Sequence, residues 1–241
     1  MSYSSLVVFF LSCIFISLCL ITTAQICDNN KGNFTANSTF SKNRNLILSS
    51  LASNATANGG FYTGTIGQDS DMVYALALCR GDLSSKKCFD CINSPSQEIM
   101  KNCPNQKEAV HWPAEDPRCI VRCSNRSIFG IMEASPGWNV WNLADITTNV
   151  DEFDQAFNSL IDSLLVRAAW GGSSRLKSAT GEKNFMEYQN IYALLQCTPQ
   201  GRSQEFGSGE QTLFLILLHI PVMQVINRIL IFILLLIQLS H

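Results

Sequence analysis

The chain is poor in charge and nearly devoid of histidine. Of 241 residues, 17 are Lys or Arg and 19 are Asp or Glu, for a net charge of −2. A polyanion such as nucleic acid therefore finds no electrostatic support. The three histidines are His111, His219 and His241. The last two lie in an apolar C-terminal stretch. His111, beside Trp112 and without a paired acid or nucleophile, reads as structural or solvent-facing. Glu115 and Asp116 sit between Pro113 and Pro117 and read as a solvated turn. A Gly-rich phosphate loop and a kinase signature are both missing. No catalytic residue, cofactor or metal is expected. Between residues 25 and 210 no apolar run reaches spanning length, which excludes a multipass membrane protein. The composition of that stretch also excludes a disordered chain.

The 46% hydrophobic content is concentrated at the two ends. Met1–Ala24 carries no charge, and its apolar run Leu6–Ile21 is followed by Thr22-Thr23-Ala24. Small residues at −3 and −1 predict a secretory signal cut after Ala24, with an uncleaved signal anchor as the alternative. Residues 213–239 exceed the roughly 20 that a spanning helix needs. Pro221 interrupts the run, and Gln224, Asn227 and Arg228 lie near its middle. An Arg at mid-bilayer costs about 2.5–3.5 kcal/mol on insertion scales. Gly207-Ser208-Gly209 precede the run, but the spacer Glu210-Gln211-Thr212 is too short for a lipid-anchor signal. A single-pass transmembrane helix over 213–239 is the expectation, with an aberrant terminus as the alternative.

Ten cysteines less Cys13 and Cys19 of the signal leave Cys27, Cys79, Cys88, Cys91, Cys103, Cys119, Cys123 and Cys197. An even count in a secreted chain predicts disulfides. Sequons at Asn33, Asn37, Asn54 and Asn125 predict glycosylation in the same compartment. Cys88-Phe89-Asp90-Cys91 has C-x-x-C spacing, but no βαβ pattern surrounds it, which argues against a thioredoxin-like redox pair. A zinc site from Cys88, Cys91, Cys119 and Cys123 fits the spacing. An oxidising compartment favours disulfides over it.

The chain also repeats itself. Val73-Tyr74-Ala75-Leu76-Ala77-Leu78-Cys79 matches Ile191-Tyr192-Ala193-Leu194-Leu195-Gln196-Cys197. Phe40 and Asn45–Leu51 match Phe153 and Asn158–Leu164. Two units result, over 25–131 and 137–205, with a seam near Ser135-Pro136-Gly137. In the first unit, 43–55 and 84–103 read as helices. Strands are expected at 61–65, 72–79, 109–112, 119–124 and 127–132. In the second, 151–169 repeats the first helix, and its apolar stripe is core. Helices grouped with antiparallel strands give an α+β class. Past Cys197 the repeat fails. Phe206 and Gly209 stand where Cys88 and Cys91 would recur, so the second helix and last strands of this unit are expected to be missing.

The Cys79-x8-Cys88-x2-Cys91 spacing carries a resemblance. With it go Cys27, Cys103, Cys119, Arg122, Ser124-Asn125-Arg126, Gly60-Phe61-Tyr62 and Cys103-Pro104-Asn105-Gln106-Lys107. Together they resemble the plant stress-antifungal, or ginkbilobin-homologous, domain, and most of all its branch in cysteine-rich receptor-like kinases. The resemblance covers about 27–131 fully and 137–200 partly. It implies an antiparallel sheet packed against two helices. It also implies the pairs Cys27–Cys103, Cys79–Cys88 and Cys91–Cys119. Cys123, where relatives usually carry Tyr, and Cys197 are left over as free, intermolecular or mutually paired. A disulfide-linked dimer is among these alternatives.

The ginkbilobin branch binds mannose through an Asn, an Arg and a Glu whose positions here are Asp28, Pro113 and Ser124. None keeps the family residue, although Asn29 lies one step from the first. A sugar needs fixed donors and acceptors to outcompete water, and Pro113 has no N–H to give. The resemblance thus implies a non-enzymatic extracellular recognition module, secreted or tethered at the plasma membrane, that serves stress or defence signalling. Its ligand would be an extracellular protein or carbohydrate. The alternatives are a secreted antifungal carbohydrate-binding protein and a truncated product without independent activity.

Overall fold

In a computed structural model of the chain, the residues described are 24–113, 118–130, 148–170, 177–186, 189–199, 213–219 and 231–233. The signal run before Ala24, the Glu115–Asp116 turn, the seam near Pro136, and Phe206 and Gly209 lie outside them.

The first unit is a five-stranded antiparallel sheet carrying two helices. In chain order these are strand β1 (Ala24–Asn33), helix α1 (Thr39–Ala57), β2 (Phe61–Ile66), β3 (Val73–Cys79), helix α2 (Ser85–Asn102), β4 (Gln106–Trp112) and β5 (Cys119–Ser124). The sheet order is β1-β4-β5-β3-β2. Helix α1 starts where the Ser38 side chain accepts from the Ser41 amide, satisfying a donor the helix cannot. It ends at Gly59 and Gly60, both at positive φ, where the Gly60 amide reaches back to the Ala55 carbonyl at 2.8 Å. A left-handed exit of this kind favours glycine. Its buried Phe40, Ile47, Leu48, Leu51 and Ala55 recur at helical spacing and pack with Val73, Ala75, Ala77 and Val121 in the main core.

Strand β3 is buried on both faces. Its odd-numbered residues meet the helices, while Leu76 and Leu78 pack with Ile128, Phe61, Tyr74 and Phe129 on the other side. A strand covered twice reads as a continuous apolar run, as this one does. Residues 125–130 form no strand, contrary to the reading of 127–132. Instead, Ile128 and Phe129 pack against Leu76 and Leu78. Strand β1 was not foreseen, and β4 begins three residues earlier than expected.

The second unit pairs helix α3 (Val150–Trp170) with β6 (Ser178–Met186), β7 (Gln189–Cys197), β8 (Leu213–His219) and β9 (Ile231–Ile233), in that sheet order. Leu160, Ile161, Leu164 and Ala168 of α3 bury against Ile191, Ala193, Leu195 and Cys197 of β7. Gly181 lets the helix come close: a Cβ there would stand 3.1 Å from Leu164 Cδ2 and 3.2 Å from Leu160 Cδ1. Among the described residues this unit has no counterpart of α2.

The last strands, expected to be missing, have their places filled by β8 and β9. The spanning helix expected over 213–239 is not what the described part of that stretch forms. A lone β6–β7 hairpin would leave one edge of β7 with unsatisfied backbone groups. Leu213–His219 is a strand-length aliphatic run that satisfies them. Among the described residues, no helix is long and apolar enough to cross a membrane.

The units meet through a buried amide. Gln196, fully buried, donates from Nε2 to the Cys79 carbonyl at 2.9 Å. Its Oε1 accepts from the Gly81 amide at 3.1 Å. One side chain thus satisfies two backbone groups of the other unit. Gln196→Ala leaves both unpaired and is expected to lower stability by about 1–3 kcal/mol. Urea unfolding followed by tryptophan fluorescence measures the loss.

Candidate functional site

Three disulfides set the geometry. The structure joins Cys27 to Cys103, Cys79 to Cys88 and Cys91 to Cys119, with Cα–Cα distances of 5.4, 5.6 and 6.1 Å. Cys88 and Cys91 therefore bond different strands rather than each other, and the C-x-x-C pair is no redox dithiol. Three of the four cysteines considered for zinc are consumed, leaving Cys123 alone.

Two of the positions matched to the family sugar site flank Glu108. Asp28 on β1 pairs in register with Glu108 on β4, and Ser124 on β5 reaches Glu108 from the other side. Glu108, 1% exposed, is the centre of a closed network. Its Oε1 accepts from Arg122 Nη2 and from Arg126 Nη2 at 3.2 Å. Its Oε2 accepts from Ser124 Oγ at 2.9 Å. Ser124 Oγ also accepts the Arg126 amide at 3.2 Å. The remaining positions are committed too. Asp28 Oδ1 accepts the Asn30 amide at 2.8 Å, Asn29 Oδ1 accepts from Gln106 Nε2 at 2.9 Å, and the Pro113 carbonyl accepts from Arg118 Nη1 at 2.6 Å. Asp28 and Ser124 are brought together around Glu108, and Pro113 stands apart at the end of β4. Ser124 is thus enclosed by the protein's own bonds, while the bonds of Asp28 and Asn29 are exposed. Glu108 was not singled out in the sequence. It lies just before the strand expected at 109–112, so nothing in the sequence marked it as buried.

A second polar cluster lies on the helix side of the sheet. His111, 1% exposed, points its Nε2 at Glu98 Oε2 of α2, 3.6 Å away. Its Nδ1 has no partner among the described residues. Burial lowers the His111 pKa below 6.5, and the Glu98 carboxylate pulls it partly back. Arg44, 2% exposed, donates to the Cys103 carbonyl at 2.5 Å and stands 4.6 Å over the Phe34 ring. Burial lowers its pKa. The same guanidinium opposes the burial that pushes the Cys123 thiol up to about 11.

Cys123 and Cys197 are both free and buried. Burial likewise lifts Cys197 to about 11, against the influence of Lys177. Protonated, enclosed thiols are poor nucleophiles for exchange with another chain. Of the sequon residues, Asn33, Asn37 and Asn125 are exposed, and Asn54 is half-buried on α1.

A family model described as salt stress response/antifungal matches residues 26–126. Cysteine-rich receptor-like protein kinase 14 of Arabidopsis thaliana is 40% identical over 179 residues, covering 74% of this chain and 27% of the relative. Kinase 25 of the same series and organism is 40% identical over 188 residues, covering 76% and 27%. The chain spans about a quarter of the length of these relatives. In structure it is similar to the tandem DUF26 ectodomain of the Arabidopsis thaliana cysteine-rich receptor-like protein PDLP8. The TM-score is 0.59 at 19% identity, over 81% of this chain and 92% of that one. The corresponding ectodomain of PDLP5 gives 0.56 at 20% identity, over 81% and 93%. At such identities the likeness shows the fold.

Two outcomes follow from these clusters. Glu108→Gln removes the charge between Arg122 and Arg126 and is expected to cost about 3–5 kcal/mol, read by urea unfolding. For His111, the folded pKa lies below the unfolded 6.5, so the unfolded chain binds that proton more readily. Its contribution is full above about pH 6.5 and shrinks as pH falls through that value. His111→Phe should flatten this part of the stability-against-pH curve, measured by thermal unfolding across the range.

Proposed function

We propose, from the premise that the chain belongs to the salt stress response/antifungal domain family, that it is a non-enzymatic extracellular recognition module. It resembles the ectodomain of a cysteine-rich receptor-like kinase and serves stress or defence signalling by binding an extracellular protein. The observation that carries this reading is the internal bonding at the positions matched to the family sugar site, above all the network that joins Ser124 to the buried Glu108. Ser124 bonds Arg126 and the buried Glu108, one oxygen of Asp28 accepts from Asn30, and the Pro113 carbonyl accepts from Arg118. At Ser124 a pyranose would have to displace internal bonds rather than water, and recognition through the outer surface of the sheet-and-helix body is favoured instead.

The leader over 1–24 and glycans on Asn33, Asn37, Asn54 and Asn125 belong to the same reading, because the disulfide frame requires an oxidising compartment. The buried Cys123 and Cys197 support a chain that is not cross-linked through them. A secreted antifungal carbohydrate-binding protein is the second reading. Its support is family membership, against the loss of all three sugar-contact residue types.

Expression of the full chain in plant cells tests both. The first reading expects secretion, faster gel migration after N-glycan removal, and no retention on immobilised mannose. Retention that disappears in Asp28→Ala or Ser124→Ala would move the assignment to the second. A cytosolic, unglycosylated product would overturn the extracellular assignment.

A further inference from the structure

The apolar C-terminal stretch stands in the second sheet where two strands of the first unit stand in theirs. In the first unit β3 lies between β2 and β5, with Tyr74 opposite Ser124, Leu76 opposite Arg122, and Cys79 opposite Cys119. In the second, β7 lies between β6 and β8, with Tyr192 opposite His219, Leu194 opposite Leu217, and Cys197 opposite Leu213. The internal repeat makes Tyr74 and Tyr192 equivalent, and likewise Leu76 and Leu194, and Cys79 and Cys197. Strand β8 therefore takes the direction and register of β5, apart from one irregularity between Gln196 and Cys197.

The agreement continues one strand further. Ala109, Val110 and His111 of β4 face Cys123, Arg122 and Val121 of β5. Ile231, Phe232 and Ile233 of β9 face Leu218, Leu217 and Ile216 of β8, which are the equivalent positions. Only the chain order is reversed: β4 precedes β5, whereas β8, in the place of β5, precedes β9. The hydrogen-bonding need is the same in both units, because β7 has a second edge whose N–H and C=O groups need partners.

We infer that Leu213–His219 and Ile231–Ile233 form the built-in strand complement of the second unit, with the open edge of β7 as their binding surface. They replace the family's two closing strands by two unrelated apolar strands. The stretch is thereby assigned to the sheet rather than to a bilayer. This inference is independent of the functional reading above, since it concerns only what pairs with β7.

Hydrogen exchange on the full chain, read by mass spectrometry over peptides containing 192–197, tests it. In the unmodified protein, amides directed to β6 and amides directed to β8 should both be protected, the latter about 100-fold over an unstructured peptide. In L215P/L217P, where proline removes ladder donors, the β8-directed amides should lose that protection while the first unit keeps its own. Adding phosphatidylcholine vesicles to the unmodified chain should leave β7 protection unchanged. The inference is overturned if half of the β7 amides exchange freely in the unmodified chain. It is equally overturned if vesicles release β7 while protecting 213–239 in a helical pattern. The measurement on unmodified protein decides the question even if the proline variant fails to fold.

Discussion

Helix α2 is sewn to three different strands, and most of the first unit depends on that arrangement. Cys88 ties it to β3, Cys91 ties it to β5, and Cys103 at its cap ties it to β1. Cys27–Cys103 closes a separation of 76 residues, worth about 4–5 kcal/mol on the loop-entropy model. Arg44 donates to the Cys103 carbonyl, so a buried cation from α1 is fastened to the same corner. The two helices and the sheet are thus held together by covalent and charge-assisted contacts that converge on one helix.

With the helix side of the sheet fixed, the polar residues on β4 have defined destinations. His111 meets α2 through Glu98. Glu108 is neutralised by Arg122 and Arg126 and bonded by Ser124. The carboxylate on β4 thereby satisfies Arg122, Arg126 and Ser124 within the protein itself. Fold and recognition chemistry are separable in general, and the likeness to solved structures concerns the fold.

The legible elements were those with strong local signals. The Gly59-Gly60 stop, the apolar stripe of α1 and the pattern over 84–103 marked the helices of the first unit, while the Ser38 cap was missed. The β-rich runs around Cys79 and Cys119 marked its central strands. Two polar edge strands, β1 and β6, were not legible. Asp28-Asn29-Asn30-Lys31 in β1 and Gly181-Glu182-Lys183-Asn184 in β6 are polar because one edge faces water, and polar runs read as loops. The apolar tail was ambiguous for the opposite reason. A continuous aliphatic run has no period to separate a buried strand from a helix, and the deciding factor was the unpaired edge of β7. Gln196 and Glu108 were missed because their partners are far away in sequence or lie across the sheet. A polar residue in a strand gives no hint of which distant backbone it will satisfy.

Peptide mapping of the secreted chain, alkylated before reduction, tests the covalent frame most directly. Three cross-linked peptide pairs are predicted: Cys27 with Cys103, Cys79 with Cys88, and Cys91 with Cys119. Cys123 and Cys197 should carry the alkyl label only when the protein is denatured. A peptide joining Cys123 to Cys197, or either of them to a second chain, would contradict the account. So would a Cys88–Cys91 bond, which would free helix α2 from the strands it is held to here.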